Sequence, residues 1–365
     1  ARRQSVVNAR PSWEPAIRRL LGRSAERALV LPACTPTNLG PELARLRASF
    51  AATQPRAPRF EYLSVKDTGE QQDSLLRAAD DVAQHGALAS LYAERAREVV
   101  LEMRICSAVG GADFYALARR RYATGDVHGR RADALANAWL DAPEEPEEMT
   151  TTSDDPADPR SLLSRMRAEA GRRRLPMYVK LSDRLSALAA TGAGVVYVAT
   201  GKRLSVRAVE RIVLHEIEGH AVPRARAAKA TLAIFGLGTA RGADEQEGRA
   251  LVLERQAGLL DVRRRKELAR RHLACRSLER GADFVETVNA LRNNGTTLDD
   301  ALRIAARVYR GGGLGREIVY LPAMLRVEQA RCDAVLSMGQ VSVAAAEVLQ
   351  PFVQGTGLEP SSCAR

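Results

Sequence analysis

Two of the chain's five histidines lie five positions apart, in the motif His215-Glu216-Ile217-Glu218-Gly219-His220. Imidazole nitrogens are common zinc ligands, so the pair is a candidate for metal binding. On a regular α-helix, side chains five apart project about 140° apart around the axis, too far round to share one ion. We therefore predict a single π-type turn here, which would let the imidazoles converge, with Gly219 easing the backbone. The alternative is a helix end that carries two surface histidines.

A catalytic zinc site needs three protein ligands and one open position for water. The segment Gln246-Glu247-Gly248-Arg249-Ala250 is predicted to begin a helix that could supply the third ligand. Glu247 and Glu254 are seven residues apart and so share one helical face. Either could bind the metal while the other orients a histidine from behind. Without the histidine motif, both would be interpreted as ordinary surface acids.

The elements that must position these residues can be predicted from hydrophobic pattern. Residues 177–181 and 194–199 are β-branched runs bounded by Pro or Gly, which predicts two strands. Ser205 is a good N-cap for the helix that carries the histidine motif. Further helices are predicted at 15–30, 40–53, 71–122, 244–260, 266–278, 284–291, 297–308 and 342–349. The fold class is therefore mostly helical α+β, with a small sheet just before the metal-binding helix.

Composition excludes several classes of protein. The net charge is +11, and 50 of the 55 basic residues are arginine, but they are spread over predicted helices and are not interleaved with aromatics. This pattern disfavours a nucleic-acid role. No apolar stretch reaches about 18 residues, so no membrane span is expected. Five scattered cysteines without a CxxC favour a reducing compartment, and we expect a cytoplasmic protein. The sequence leaves its oligomeric state open.

The His-Glu-x-x-x-His and Gln-Glu-Gly-x-Ala motifs together resemble the metallopeptidase family described by a QEGLA motif. Its eukaryotic relatives include the microtubule-associated tyrosine carboxypeptidases. The resemblance covers about residues 30 to 350 and continues in further segments: Pro36-Thr37-Asn38, Pro58-Arg59-Phe60-Glu61-Tyr62, Arg307-Val308-Tyr309-Arg310-Gly311-Gly312 and Arg316-Glu317-Ile318-Val319-Tyr320-Leu321.

The resemblance implies a gluzincin-like zinc peptidase with one zinc ion held by His215, His220 and Glu247. It implies that Glu216 is the general base, and Glu254 is then the candidate partner of a ligand histidine. Tyr320 is a candidate oxyanion donor, because a phenol donates without adding charge. A half-buried core tyrosine is the alternative for Tyr320.

A carboxypeptidase must also recognise a free α-carboxylate. Arginine suits this task because its planar guanidinium can bind both oxygens. Arg310, beside the Gly311-Gly312-Gly313 turn, and Arg316 are the candidates that the resemblance favours. A solvated surface position stays the alternative for each of them.

The chain departs from the family pattern in three places. The family's His-Glu-Ile-Gly-Thr-His becomes a motif with Glu218 and Gly219, and its Lys-Asp becomes Arg316-Glu317. Residues 224–229 also lack the family's Asn-Gly and Gln-Pro pattern. Metal chemistry should survive these changes, but a tubulin substrate should not be assumed.

Residues 141–159 hold eight acids, four prolines and no basic residue, which predicts an exposed linker or loop. We expect an N-terminal extension at 1–30, a helical part of the catalytic unit at 31–140, an acidic Pro-rich linker or loop at 141–160, and the zinc metallopeptidase core at 161–365. His85, His128 and His272 are expected at surface or capping positions.

Three functions stay open. The first is a zinc carboxypeptidase acting on the C-terminus of a peptide or protein. The second is another zinc hydrolase, either an endopeptidase or an amidase. The third is a non-catalytic regulatory protein whose metal site is structural.

Overall fold

A computed structural model describes residues 10–353, apart from 66, 67, 125, 144–147, 184, 186 and 193. Residues 1–9 of the predicted extension and 144–147 of the predicted linker therefore lie outside the described residues. The chain divides into two compact units. The motif unit comprises Ala1–Pro11, Pro143–Arg263 and Ala323–Arg365, and the helical unit comprises Ser12–Ala142 and Arg264–Pro322. The domain boundaries expected from composition stay predictions.

The motif unit contains two small sheets. Their strands are β1 Thr151–Thr152, β2 Tyr178–Ser182, β3 Ala189–Thr191, β4 Val195–Ala199 and β5 Arg203–Leu204. One sheet has the strand order β2–β4–β3, with β2 parallel and β3 antiparallel to β4. The other pairs β1, from the acidic segment, with β5. Both strands predicted at 177–181 and 194–199 are confirmed.

The helix that carries the histidines, here called the motif helix, follows the sheets directly. Ser205 accepts a hydrogen bond from the Ala208 N–H and so caps it, as predicted. The helix is α-helical over Val206–Leu214, widens into a π-helix over His215–Ala221 and returns to α-helix over Val222–Ala227. The predicted π-type turn is therefore confirmed. The inner face of this helix packs on the sheet, burying Val209, Ile212, Val213, Ile217, Val196 and Val198.

A second helix, Gly242–Gln256, packs closely against the π turn. A Cβ added at Gly219 would lie 2.7 Å from the Cβ of Ala250, a distance that real Cβ contacts do not reach. Gly219 does not have a positive φ. Its role is therefore to allow the close approach of the two helices rather than to supply the backbone freedom that we expected. The unit's other helices are Leu162–Arg172, Ile234–Leu237, Asp333–Leu336 and Val343–Leu349, together with the part of Tyr320–Gln329 from Ala323 onward.

The helical unit surrounds its own core, in which Leu46, Leu75, Tyr92, Met103 and Phe114 are fully buried. The region predicted as helical at 71–122 forms three helices. The expectation that His272 lies at a surface or capping position is wrong. His272 is buried, and its Nε2 lies 2.7 Å from Asp133 Oδ1. The helices are Glu14–Ala25, Val30–Ala33, Leu39–Ala51, Gly69–Ala83, Ala87–Ser107, Phe114–Tyr122, Val127–Leu140, Val262–Glu279, Phe284–Asn293 and Leu298–Gly313.

The structure thus confirms a mostly helical α+β chain with a small sheet before the motif helix. The gluzincin-like assignment within that class stays a prediction. Among the described residues, no helix is both long enough and apolar enough to cross a membrane.

Candidate metal centre

Three predicted ligands converge in the motif unit. Glu247 Oε2 lies 3.4 Å from His215 Nε2 and 3.7 Å from His220 Nε2. All three ligand atoms lie within 4.8 Å of one another. In a tetrahedral zinc site with bonds of about 2.0–2.1 Å, ligand atoms are about 3.4 Å apart. The donor set and its spacing therefore fit one zinc ion.

The π turn produces this convergence. It brings the two imidazole rings to a centroid distance of 5.0 Å, although five residues separate them. An uninterrupted α-helix would direct the rings about 140° apart. The π turn therefore explains how two histidines five residues apart can approach the same point.

The remote nitrogen of each histidine is also held. His215 Nδ1 lies 2.7 Å from Glu254 Oε1, and His220 Nδ1 lies 2.9 Å from Gln246 Oε1. Because both partners are acceptors in this arrangement, each ring would carry a hydrogen on Nδ1 and offer the Nε2 lone pair to a bound metal. Glu247 thus lies between the two Nε2 atoms, where a ligand is predicted, and Glu254 lies behind the ring of His215. Gln246 was not identified from the sequence, although it directly precedes the predicted ligand Glu247.

The electrostatics of the site also favour a cation. Burial by itself would lower the pKa of His215, but the hydrogen bonds that its ring donates to Glu247 and Glu254, with the negative charges of Glu254 and Glu216, raise it to about 10. A histidine with a raised pKa holds a proton at neutral pH when no metal is bound. The space between these side chains therefore attracts positive charge, which a metal ion would supply in place of the proton.

The candidate base Glu216 is buried and hydrogen-bonded. Its Oε2 accepts a hydrogen bond from Thr191 Oγ1 at 2.7 Å, and Thr191 is the last residue of β3. This contact could not be identified from the sequence, because Thr191 lies 25 residues before its partner and belongs to no motif.

One carbonyl of the π turn needs a donor from outside the helix. The Val222 N–H bonds to the Ile217 carbonyl, five residues back. The corresponding donor for the Glu218 carbonyl would be residue 223, which is proline and has no N–H. Arg249 Nη1 donates to that carbonyl at 3.0 Å instead.

Two polar residues at the same turn differ from the family motifs. Arg249 stands where the QEGLA motif has leucine, and its Nε donates to Asp333 Oδ1 at 2.7 Å. The Glu218 side chain, where the family pattern has glycine, pairs with Arg173. Arg249 is buried and Asp333 is largely exposed. These departures therefore add polar contacts to the turn without adding a metal ligand.

The remaining candidates belong to the helical unit, around the buried carboxylate of Glu317. Arg307, Arg271 and Arg310 place guanidinium nitrogens 3.1, 3.5 and 3.8 Å from it. Burial would raise the pKa of Glu317, but these arginines and Arg316 lower it to about 2. Glu317 was not singled out as a site residue from the sequence.

Arg310 is incompletely paired in this cluster. Its Nε is buried and has no hydrogen-bond partner among the residues that the structure describes. The chain leaves helical geometry at this point, with φ of 74° at Gly311 and 113° at Gly312, as the predicted glycine turn requires. Gly311 N–H donates to the Tyr62 hydroxyl at 2.7 Å, which fixes the kink.

Arg316 and Tyr320 contact each other. Arg316 Nη1 donates to the Tyr320 hydroxyl at 3.4 Å, and the Tyr320 side chain is largely buried. The substrate-binding roles of Arg310 and Arg316 and the oxyanion role of Tyr320 stay predictions.

Comparison with known proteins agrees with the motifs. The sequence profile of the microtubule-associated tyrosine carboxypeptidase family matches residues 48–361, nearly the whole chain. A search of curated proteins finds no match.

Proposed function

The chain belongs to the microtubule-associated tyrosine carboxypeptidase family, and we propose that it is a zinc-dependent metallopeptidase that removes residues from the C-terminus of a peptide or protein. Family membership by itself implies a carboxypeptidase-type hydrolase with a peptide or protein substrate. The observation that carries the finer proposal is the spacing of His215, His220 and Glu247, which suits one zinc ion.

In this proposal each residue of the candidate metal site has a separate chemical role. His215, His220 and Glu247 hold the ion, while Glu254 and Gln246 fix the two rings. A zinc ion in such a site activates water and polarises the substrate carbonyl. Glu216 accepts the proton of the attacking water and then delivers it to the leaving amine. The hydrogen bond from Thr191 leaves the second oxygen of Glu216 available for that proton.

Three further residues are proposed to recognise the substrate. Arg310 and Arg316 bind the α-carboxylate, and the Tyr320 hydroxyl donates to the developing oxyanion. The buried Nε of Arg310, which has no acceptor among the residues that the structure describes, supports this assignment, because a buried guanidinium is stabilised by a further acceptor. The buried free thiols of Cys34, Cys106 and Cys275 suit the reducing cytoplasm, which we propose as the protein's location.

The test combines metal analysis with peptide hydrolysis. We expect one zinc per chain, and mass spectrometry should show shortening of peptides with a free C-terminus but not of the same peptides with an amidated one. Equal cleavage of both would contradict the carboxypeptidase proposal and favour an endopeptidase or amidase. Bound zinc without hydrolysis would instead support a non-catalytic protein with a structural metal site. A protein without metal, unaffected by His215→Ala, would contradict the metal site itself.

Variants assign the individual roles. Glu216→Gln should retain zinc and lose about 100- to 10,000-fold in rate, whereas Glu210→Gln, at an exposed position of the motif helix, should be neutral.

Tyr320→Phe should lower kcat by about 100-fold. Arg310→Gln should raise KM for free-acid peptides, and Arg303→Gln on the exposed face of the same helix is its control.

A further inference from the structure

The carboxylate of Glu216 is held by a side chain from outside the motif helix. Thr191 Oγ1 lies 2.7 Å from Glu216 Oε2 and 3.3 Å from the main-chain oxygen of Glu216. The hydroxyl has one hydrogen to donate, and an ionised carboxylate only accepts. The shorter contact is therefore an O–H···O⁻ hydrogen bond, which is stronger than one between neutral groups.

The strand that carries Thr191 holds the hydroxyl in a fixed place. Thr191 pairs with Val196 and Ala189 pairs with Val198 across β3 and β4, and both valines are fully buried. Beyond the strand, Gly192 N–H donates to the Val195 carbonyl at 2.7 Å. A one-residue change of register would turn Thr191 to the opposite face of the sheet. The sheet thus presents this hydroxyl toward the motif helix.

We propose that Thr191 is a positioning residue for the general base. Its hydroxyl fixes Glu216 Oε2 and so orients Oε1 to accept the proton of the attacking water. A carboxylate that rotates freely would spend less time in the productive geometry, and misplacement of a reacting group lowers rate more than binding. This inference rests on the proposed peptidase function, because it acts only through Glu216.

The kinetic test compares two substitutions at one position. Thr191→Val removes the hydroxyl and keeps the branched shape, whereas Thr191→Ser keeps the hydroxyl. With zinc content unchanged, we expect Thr191→Val to lower kcat by about 10- to 100-fold with KM within about twofold. Thr191→Ser should recover most of the rate. Thr152→Val, at a half-buried strand position of the same unit, is the matched control and should keep wild-type activity.

A second measurement does not depend on activity. In the metal-free protein, Thr191→Val should lower Tm by about 1–3 °C when Glu216 is present and by much less in a Glu216→Ala background. Equal shifts in both backgrounds would show that the hydroxyl does not act on the carboxylate.

The outcomes separate the two proposals. Absence of metal-dependent hydrolysis in the wild type would overturn the peptidase function, and the melting experiment would then decide whether Thr191 holds Glu216. If the wild type is active, a Thr191→Val variant with unchanged kcat, or a Thr191→Ser variant as slow as Thr191→Val, would overturn the positioning role alone.

Discussion

The two units each contain a buried charge cluster, and the clusters are opposite in composition. In the motif unit, Glu216, Glu247 and Glu254 surround two imidazoles, so carboxylates outnumber fixed cations. In the helical unit, four arginines act on the single carboxylate of Glu317. Burying charge is costly unless a partner compensates it. The first cluster therefore suits a cation, and the second suits an anionic group.

The largest expected effect removes a ligand from the acid-rich cluster. His220→Ala should abolish stoichiometric zinc binding and reduce hydrolysis by about 1,000-fold or more, because two ligands cannot fix the ion's geometry. Zinc content by mass spectrometry and initial rates measure this. His85→Ala, at an exposed histidine of the other unit, is the control. Full zinc occupancy in His220→Ala would contradict the ligand assignment.

The next effect concerns the arginine-rich cluster and the pH dependence of the protein's stability. The pKa of Glu317 falls from 4.5 to about 2 on folding, so its contribution to stability is complete above pH 4.5 and is lost as the pH falls through 2. The shift corresponds to about 3 kcal/mol. Denaturant titrations at several pH values should show this loss in the wild type.

Substitutions should separate Glu317 from its neighbours. Glu317→Gln should destabilise the protein by about 3–5 kcal/mol at pH 7 and remove the corresponding pH dependence, because the buried arginines lose the carboxylate that they share. Glu267→Gln removes a half-exposed partner of Arg271 and should cost less than about 1 kcal/mol. Equal effects of the two variants would show that burial of the carboxylate does not matter.

A smaller effect distinguishes the two histidine partners within the metal cluster. Glu254→Gln should weaken zinc binding by about 10- to 100-fold, because a charged partner makes His215 a more basic ligand. Gln246→Ala removes a neutral partner from His220 and should weaken binding less. Competition with a metal-sensitive dye measures both affinities, and the reverse order would contradict the importance of the charge.

The smallest effect tests how the π turn is supported. Arg249→Leu should destabilise the protein by about 1–3 kcal/mol, because the Glu218 carbonyl loses its donor. Adding Pro223→Ala restores an N–H at position 223 and should recover part of the loss. Arg255→Leu, which breaks an exposed pair with Glu328, is the control and should be nearly neutral. Absence of any recovery would contradict the role given to the proline.

The local features of the motif unit could be predicted from the sequence. The five-residue spacing of His215 and His220 required a π turn, and the structure contains it. Strand and cap signals located β2, β4 and Ser205 because those preferences are local. Short-range geometry therefore predicted the backbone of the candidate metal centre.

Long-range contacts could not be predicted in this way. Thr191 and Gln246 act through hydrogen bonds to residues 25 and 26 positions away, and no spacing rule connects them. The same limit explains His272, whose burial depends on Asp133, 139 residues earlier. Gly219 was identified as important, but the reason depended on Ala250 in another helix.

The π turn also has an evolutionary consequence. Deleting one residue between His215 and His220 would give a four-residue spacing, with which both imidazoles could share an ion on a regular α-helix. Because the π turn absorbs one extra residue, the same deletion would close it and leave the later side chains of the helix on their present faces. Val222, Pro223 and Ala227 could then keep their buried positions. A lineage could therefore exchange one zinc-helix motif for the other by a single deletion, without redesigning the packing that follows it.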